Sequence, residues 1–359
     1  MMRTGTAHLP LHGGKAPRYL FDRMVRLGRE ISLIIIAEYG TLELMRKLSD
    51  PFWFQAFGCV LGYDWHSSGV TTVVCGALKE AWKPISKETG LFIAGGKGAT
   101  SRKTPSEIES LANEIQVPPS GLVYASRLSA KVDNNALQDG YQIYHHSFIF
   151  DREGRWAVIQ QGMNEGNGWA RRYHWLSEKV ASFVDEPHAA IITSAHAETL
   201  NMVAHESEAA RQASAALAVE KPWKNLLELK KLRQIELPHH HEVLIGDINP
   251  DRLAGTLESA YESQPQNFEQ LLGSKNVGPK TIRALALLSE IVYGAKPSFA
   301  DPARFSFAHG GKDGHPYPVD RKTYDQSIQI LHAAVEHAKI GDRERLDALK
   351  RLDHVAVQE

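Results

Sequence analysis

Two cysteines, Cys59 and Cys75, are all that 359 residues contain, and their spacing is not that of a metal-binding pair. So few thiols exclude a disulfide scaffold and point to a reducing, cytoplasmic compartment. Long apolar runs are missing too. The longest, Leu33 to Ala37, falls far short of a bilayer-crossing helix, and Met1 to Pro10 lack the apolar stretch of a secretory signal, so no membrane insertion is expected. Charge of one sign is absent, because 41 basic residues meet 42 acidic ones for a net charge of -1. Any contact with nucleic acid must therefore come from a local patch, which excludes a histone-like coat. Repeats, heptad arrays and low-complexity tracts are not evident. Gly95-Gly96-Lys97-Gly98 lacks the four-residue spacer of a P-loop, although glycine amides beside a lysine could hold a single phosphate.

What is there divides the chain near residue 195. A length of 359 residues exceeds one ordinary core and predicts two domains. Leu20, Met24, Leu27, Ile31, Ile34 and Ile35 recur at three- and four-residue spacing and predict an amphipathic helix that stops at Gly40. A second helix is expected after Ser67-Ser68, and Thr104-Pro105-Ser106-Glu107 reads as a capping box opening a third. Tyr141, Ile143, Phe148 and Phe150 alternate with polar residues, Asp151 to Arg155 turn, and Trp156, Val158 and Ile159 return, which predicts a β-hairpin. Leu91 to Ala94 and Leu122 to Tyr124 are further strand candidates. Beyond about residue 195 strand signals nearly vanish, and Ala, Glu, Leu and Lys favour helix from 196 to 235. Asn249-Pro250 opens another helix by the cap-plus-proline signal.

The densest set of reactive side chains is Lys131, Asp133, Asn134, Gln138, Asp139, His145 and His146, with Gln160 and Gln161 on the returning strand. Carboxylate and imidazole groups with a lysine nearby suit a divalent metal, magnesium or manganese, that polarises a phosphodiester and activates water. Asp133, Asp139 and His146 are the candidate ligands, and Lys131 and His145 complete the catalytic set. Neighbours on a strand point to opposite faces, so only one of His145 and His146 can serve a given site. Smaller polar clusters are His8, His12 and Lys15; Asp64-Trp65-His66; and Lys97 with Arg102 and Lys103. Arg171-Arg172-Tyr173-His174-Trp175 interleaves basic and aromatic residues, as a nucleic-acid surface or a cation–π pair would. His239, His240 and His241 are consecutive and cannot all converge on one ion from a regular element.

Near the C-terminus, Phe268, Leu271 and Leu272 form the apolar edge of a short helix, Lys275-Asn276-Val277-Gly278 make a tight loop, and Pro279 starts a helix carrying Ile282, Leu285, Ala286 and Ile291. Proline fixes the first helical φ, and free amides at a helix entrance can grip a phosphate oxygen without reading sequence. The segment, about 267–294, resembles the helix-hairpin-helix motif of repair glycosylases, structure-selective nucleases and ligases, with Asn276 where the first hairpin glycine usually stands. Asparagine tolerates the left-handed conformation that glycine supplies there. The resemblance implies DNA contacts from Lys275, Asn276, Val277, Gly278, Lys280 and Thr281, to which the interleaved basic segment adds Arg171 and Arg172. In bifunctional glycosylases of this kind a lysine two positions after the second hairpin glycine attacks the sugar, and Lys280 holds that position. Pro318-Val319-Asp320 is similar to the context of their aspartate, so Lys280 would be the Schiff-base nucleophile and Asp320 its electrostatic partner, with Asp301 as a second candidate acid. Over nearly its full length, through Arg3 to Pro10, Pro51 to Gln55 and Lys131 to Asn134, the chain resembles a domain-of-unknown-function family of archaea and thermophilic bacteria.

The expected architecture is an α+β N-terminal domain, 1–195, with a small antiparallel sheet or hairpin, followed by an all-α helix-hairpin-helix domain, 196–359. Three functions fit: a metal-dependent nuclease whose C-terminal domain holds duplex DNA; a metal-free glycosylase or abasic-site lyase using Lys280 and Asp320; and a non-catalytic DNA-binding protein. A homodimer is the default assembly.

Overall fold

The computed structural model describes residues 9–11, 16–64, 67–193, 198–232, 249–303 and 321–357. Helix α1 (Arg18–Ser49) buries Met24, Leu27, Ile31 and Ile35 along one stripe. Gly40, with a non-helical φ of 85°, interrupts it as the sequence predicts, and a second helical stretch follows directly and buries Leu44, Met45 and Leu48. Asp50 caps α2 (Pro51–Val60) by accepting from the Trp53 amide at 2.9 Å. Helix α3 (Gly69–Trp82) packs so closely on α2 that a β-carbon on Gly58 would collide with the Val70 side chain. After a single turn, α4 (Ser86–Thr89), the chain enters strand β1 (Leu91–Lys97).

Helix α5 (Thr104–Ser110) opens with proline as predicted, yet without the capping box. Glu107 turns instead to the Gly95 amide at 2.8 Å and the Lys79 ammonium at 2.6 Å, which tie this helix to β1 and α3. Leu122 to Tyr124 are not a strand. They belong to α6 (Pro119–Lys131), where proline at the entrance and buried Leu122, Ala125 and Leu128 at helical spacing set the period. This helix widens into a π-turn, Val132–Ala136, and passes into the short strand β2 (Leu137–Gln138).

The hairpin predicted over 141–162 forms as β3 (Gln142–Asp151) and β4 (Trp156–Asn164). With β1, β5 (Trp169–Leu176) and β6 (Ala190–Thr193) it makes a five-stranded antiparallel sheet in the order β1-β3-β4-β5-β6. A two-residue strand, β7 (Leu200–Asn201), pairs with β2, and the described residues beyond it are largely helical: α7 (Glu208–Ala218), α8 (Pro222–Leu232), α9 (Pro250–Ser263), α10 (Phe268–Gly273), α11 (Pro279–Tyr293), α12 (Arg321–His337) and α13 (Asp342–Val357).

Both faces of the sheet are covered, which makes the molecule α+β. Leu91, Ile149, Ala157, Ile159 and Leu176 face α1 to α3 and share that core with Leu331, Val335 and Leu352 of α12 and α13. Phe92, Phe148, Trp156, Val158 and Trp175 face the other way, onto α5 and α6, in a core that continues through α7 to α11. Residues before and after 195 thus contribute to both cores. Among the described residues, no helix is long and apolar enough to cross a membrane.

Candidate functional site

Alternation along β3 and β4 separates the polar residues that the sequence places side by side. Across the sheet His146, Gln160 and Tyr173 are in register, as are His145, Gln161 and Arg172, and the two rows project to opposite faces. The first row meets the π-turn. Asp133 is fully buried there; one carboxylate oxygen accepts from Gln160 Nε2 at 2.5 Å and Trp175 Nε1 at 2.9 Å, and the other lies 2.5 Å from His188 Nε2. Because the Gln160 amide nitrogen is committed to Asp133, its oxygen faces His146 Nδ1 at 2.9 Å. That makes Nδ1 the protonated nitrogen and Nε2 the acceptor for the Ser126 hydroxyl at 2.9 Å. Burial pushes His146 down to about 4, so it is neutral at pH 7.

Asp139 belongs to a second network. It accepts from Arg171 Nη1 at 2.9 Å, the Tyr173 hydroxyl at 2.6 Å and the Tyr141 amide at 3.0 Å, and Arg171 is also held by both oxygens of Asp301. Burial raises the Asp139 carboxyl, against the pull of Arg171. Asp133, Asp139 and His146 therefore do not converge, and their lone pairs are taken up by protein donors. Among the described residues, no group of three or more His, Cys, Asp or Glu side chains is placed to share an ion. His145 points to the opposite face, with Nε2 3.0 Å from the Ser147 hydroxyl, and burial pushes it down to about 3.

Arg171 and Arg172 do not reach solvent, because β5 is an inner strand with helices on both faces. Arg172 donates to Gln55 at 2.9 Å, to His174 Nε2 at 3.0 Å and to Thr71 at 3.3 Å, and its guanidinium lies over the Phe54 ring. Among the described residues no carboxylate is within ion-pairing distance of it. Burial lowers it to about 9.

Lys131, Asn135 and Gln138 turn away from both networks and clasp the C-terminal helices. Lys131 Nζ donates to the carbonyls of Leu272 at 2.8 Å and Ser274 at 2.6 Å, where α10 ends. Asn135 donates to the Val277 carbonyl at 3.3 Å, and Gln138 donates to the Pro279 carbonyl at 2.8 Å while accepting from Arg283 at 2.7 Å. Between α10 and α11 the chain makes its tight turn with Asn276 at φ of 65°, the left-handed conformation expected of it. Val277 is buried beneath the turn and Thr281 at the helix start, whereas Lys275, Asn276 and Lys280 are exposed. Asp320 lies outside the described residues, as do His8, His12, Lys15, Trp65, His66 and His239 to His241.

A cavity of about 540 Å³ opens beside the Arg172 face of the sheet. Its lining draws together residues far apart in the chain, among them Leu11 and Leu20, Asp64 and Ser68, Lys97 at the end of β1, and Tyr144 and Glu165 from the β3–β4 hairpin and its exit. Sequence reasoning missed His188, which is held to Asp133 across 55 residues of chain and announced by no spacing signal.

The chain belongs to the family described as protein of unknown function (DUF763), which it matches over residues 5–319. No curated protein and no solved structure matches it.

Proposed function

We propose, for this member of a family that prescribes no activity, that the turn between α10 and α11 holds the sugar–phosphate backbone of DNA as a helix-hairpin-helix does, without reading sequence. The observation that carries the reading is the direction of the turn's carbonyls. Those of Leu272, Ser274, Val277 and Pro279 are all drawn towards Lys131, Asn135 and Gln138. In a trans peptide the following N–H points the opposite way, so the amides of Lys275, Gly278 and Lys280 are directed outward, beside two exposed ammonium groups. Amides fixed in this way favour a phosphate oxygen without an ordering cost at the moment of binding. Asn276 makes the turn, and Val277 anchors it to the core.

Of the three functions that the sequence leaves open, non-catalytic DNA binding through this face is the one the geometry favours. A nuclease centred on Asp133, Asp139 and His146 would first have to release Gln160, Trp175, Arg171 and Tyr173 from their present bonds. Lyase chemistry is served better, because Lys280 stands exposed on the proposed DNA face. A borohydride-trapped adduct with abasic DNA, lost in Lys280→Ala, would move the reading from binding to catalysis.

The direct test is fluorescence anisotropy with a labelled duplex over a series of salt concentrations. Each of Lys275→Ala and Lys280→Ala should weaken binding several-fold and lower the slope of log K against log salt by about 0.9, the signature of one lost phosphate contact. Wild-type protein that fails to bind duplex at low salt, or a double variant with unchanged affinity and slope, refutes the proposal.

A further inference from the structure

The cavity beside β1 has a polarity that the DNA-binding reading does not use. Beneath it Arg172 carries a fully buried positive charge with no carboxylate counter-ion among the described residues. Fold energetics alone give little reason to keep such a charge, since burying an unpaired ion is costly. From Arg172 a chain of oriented hydrogen bonds leads to the cavity wall. The guanidinium donates to Thr71, whose hydroxyl donates to Gln161 Oε1 in a short bond; Gln161 Nε2 then donates to the Tyr144 hydroxyl at 2.5 Å and to the Ser68 carbonyl at 2.9 Å. Since the Tyr144 oxygen accepts from Gln161, its own proton is available to be donated. Tyr144 and Ser68 line the cavity. So does Lys97, whose ammonium lies 5.8 Å from the centre of the Tyr144 ring.

One wall therefore offers two donors, the Lys97 ammonium and the Tyr144 hydroxyl, backed by the field of Arg172. That is the chemistry of an anion site, and the Gly-Gly-Lys-Gly segment is where the sequence allows for a single phosphate. Elsewhere the lining offers the opposite chemistry: the carboxylates of Asp64 and Glu165 are acceptor groups, and Tyr63, Val73 and Met163 present flat or apolar surface. A volume of about 540 Å³ is that of a small-molecule site.

We infer that this cavity binds a nucleoside monophosphate, with its phosphate on Lys97 and Tyr144, its ring against the Tyr63 side and its hydroxyl or amino donors on Asp64 and Glu165. The same chemistry is presented by a free nucleotide and by the 5′-phosphorylated end of a DNA strand, so both are tested.

Isothermal titration of the full chain with AMP, dTMP, adenosine, inorganic phosphate and a short 5′-phosphorylated oligonucleotide decides it. At least one monophosphate should bind with one-to-one stoichiometry in the micromolar range, and adenosine and phosphate alone at least about tenfold more weakly. Lys97→Gln, an exposed position, and Tyr144→Phe, which removes only the hydroxyl, should each weaken the monophosphate about tenfold and leave adenosine unchanged. An oligonucleotide that competes with AMP and is weakened equally by Lys97→Gln identifies a strand end as the source; one that does not compete identifies the free nucleotide. No binding of any monophosphate by about 1 mM, or variants that bind as the wild type does, overturns the inference.

Discussion

Replacing Asp133 by Ala separates a structural carboxylate from a metal ligand. In the folded protein this buried side chain satisfies three groups at once: the Gln160 amide at 2.5 Å, the Trp175 indole at 2.9 Å and His188 at 2.5 Å. Truncation removes the acceptor and leaves the donors in place. Gln160 keeps a bond to the Ser129 carbonyl at 3.3 Å, so the full penalty falls on Trp175 and His188. A buried donor left unpaired costs about 1–3 kcal/mol, and loss of one member of a buried charged network typically costs about 3–5 kcal/mol. The expected destabilisation is therefore about 3–5 kcal/mol, a large share of the roughly 5–15 kcal/mol that holds an ordinary domain folded. With a urea slope of about 3 kcal/mol/M, the unfolding midpoint followed by circular dichroism should fall by about 1–1.7 M. Asp133→Asn, which keeps one oxygen acceptor for Trp175, should fall by roughly half as much. A midpoint for Asp133→Ala within about 0.3 M of wild type, especially with metal-dependent DNA cleavage abolished, would refute the structural assignment and restore Asp133 as a ligand.

Stability should also fall with acid through the buried histidines. In the unfolded chain a histidine takes up its proton near pH 6.5, whereas burial holds His145 and His146 neutral down to about 3 and about 4, and His174 is shifted the same way. Depressed folded values mean that full stability is present above about pH 6.5 and is lost as the pH falls towards 4, at about 1.4 kcal/mol per pH unit for each histidine. Urea midpoints measured between pH 7.5 and 5 should therefore drop steeply; a flat profile would show that these rings are protonated in the fold. At the turn, Asn276→Gly should be neutral or slightly stabilising and Asn276→Ala should cost about 1 kcal/mol, because a φ of 65° suits glycine and penalises a β-carbon. Equal melting temperatures for the two variants would contradict the left-handed assignment.

Local signals served well where local physics decides the outcome. The apolar stripe of α1, the β3–β4 hairpin, the proline entrances of α5, α9 and α11 and the left-handed turn at Asn276 were all legible, because each depends on residues a few positions apart. Leu122 to Tyr124 were misread where packing overrode a short-range cue. The stop at Gly40 was legible, but the second helical stretch that follows at once, burying Leu44, Met45 and Leu48, was not. In α6 a three-residue apolar run was too short to distinguish strand from helix.

The polar constellation at 131–161 shows the limit most clearly. By itself the sequence determined that these residues are concentrated there and that His145 and His146 must part company, since strand alternation is a property of the backbone. It also determined that the 274–280 segment makes a tight turn into a helix. Only the tertiary structure decided which partner each polar group receives: Asp133 goes to His188, Asp139 to Arg171, Lys131 to the end of α10, and Arg172 to the layer beneath the cavity. The reason is physical. A buried donor or acceptor must be satisfied by whatever the packing of distant elements brings within about 3 Å, and spacing along the chain carries no record of that.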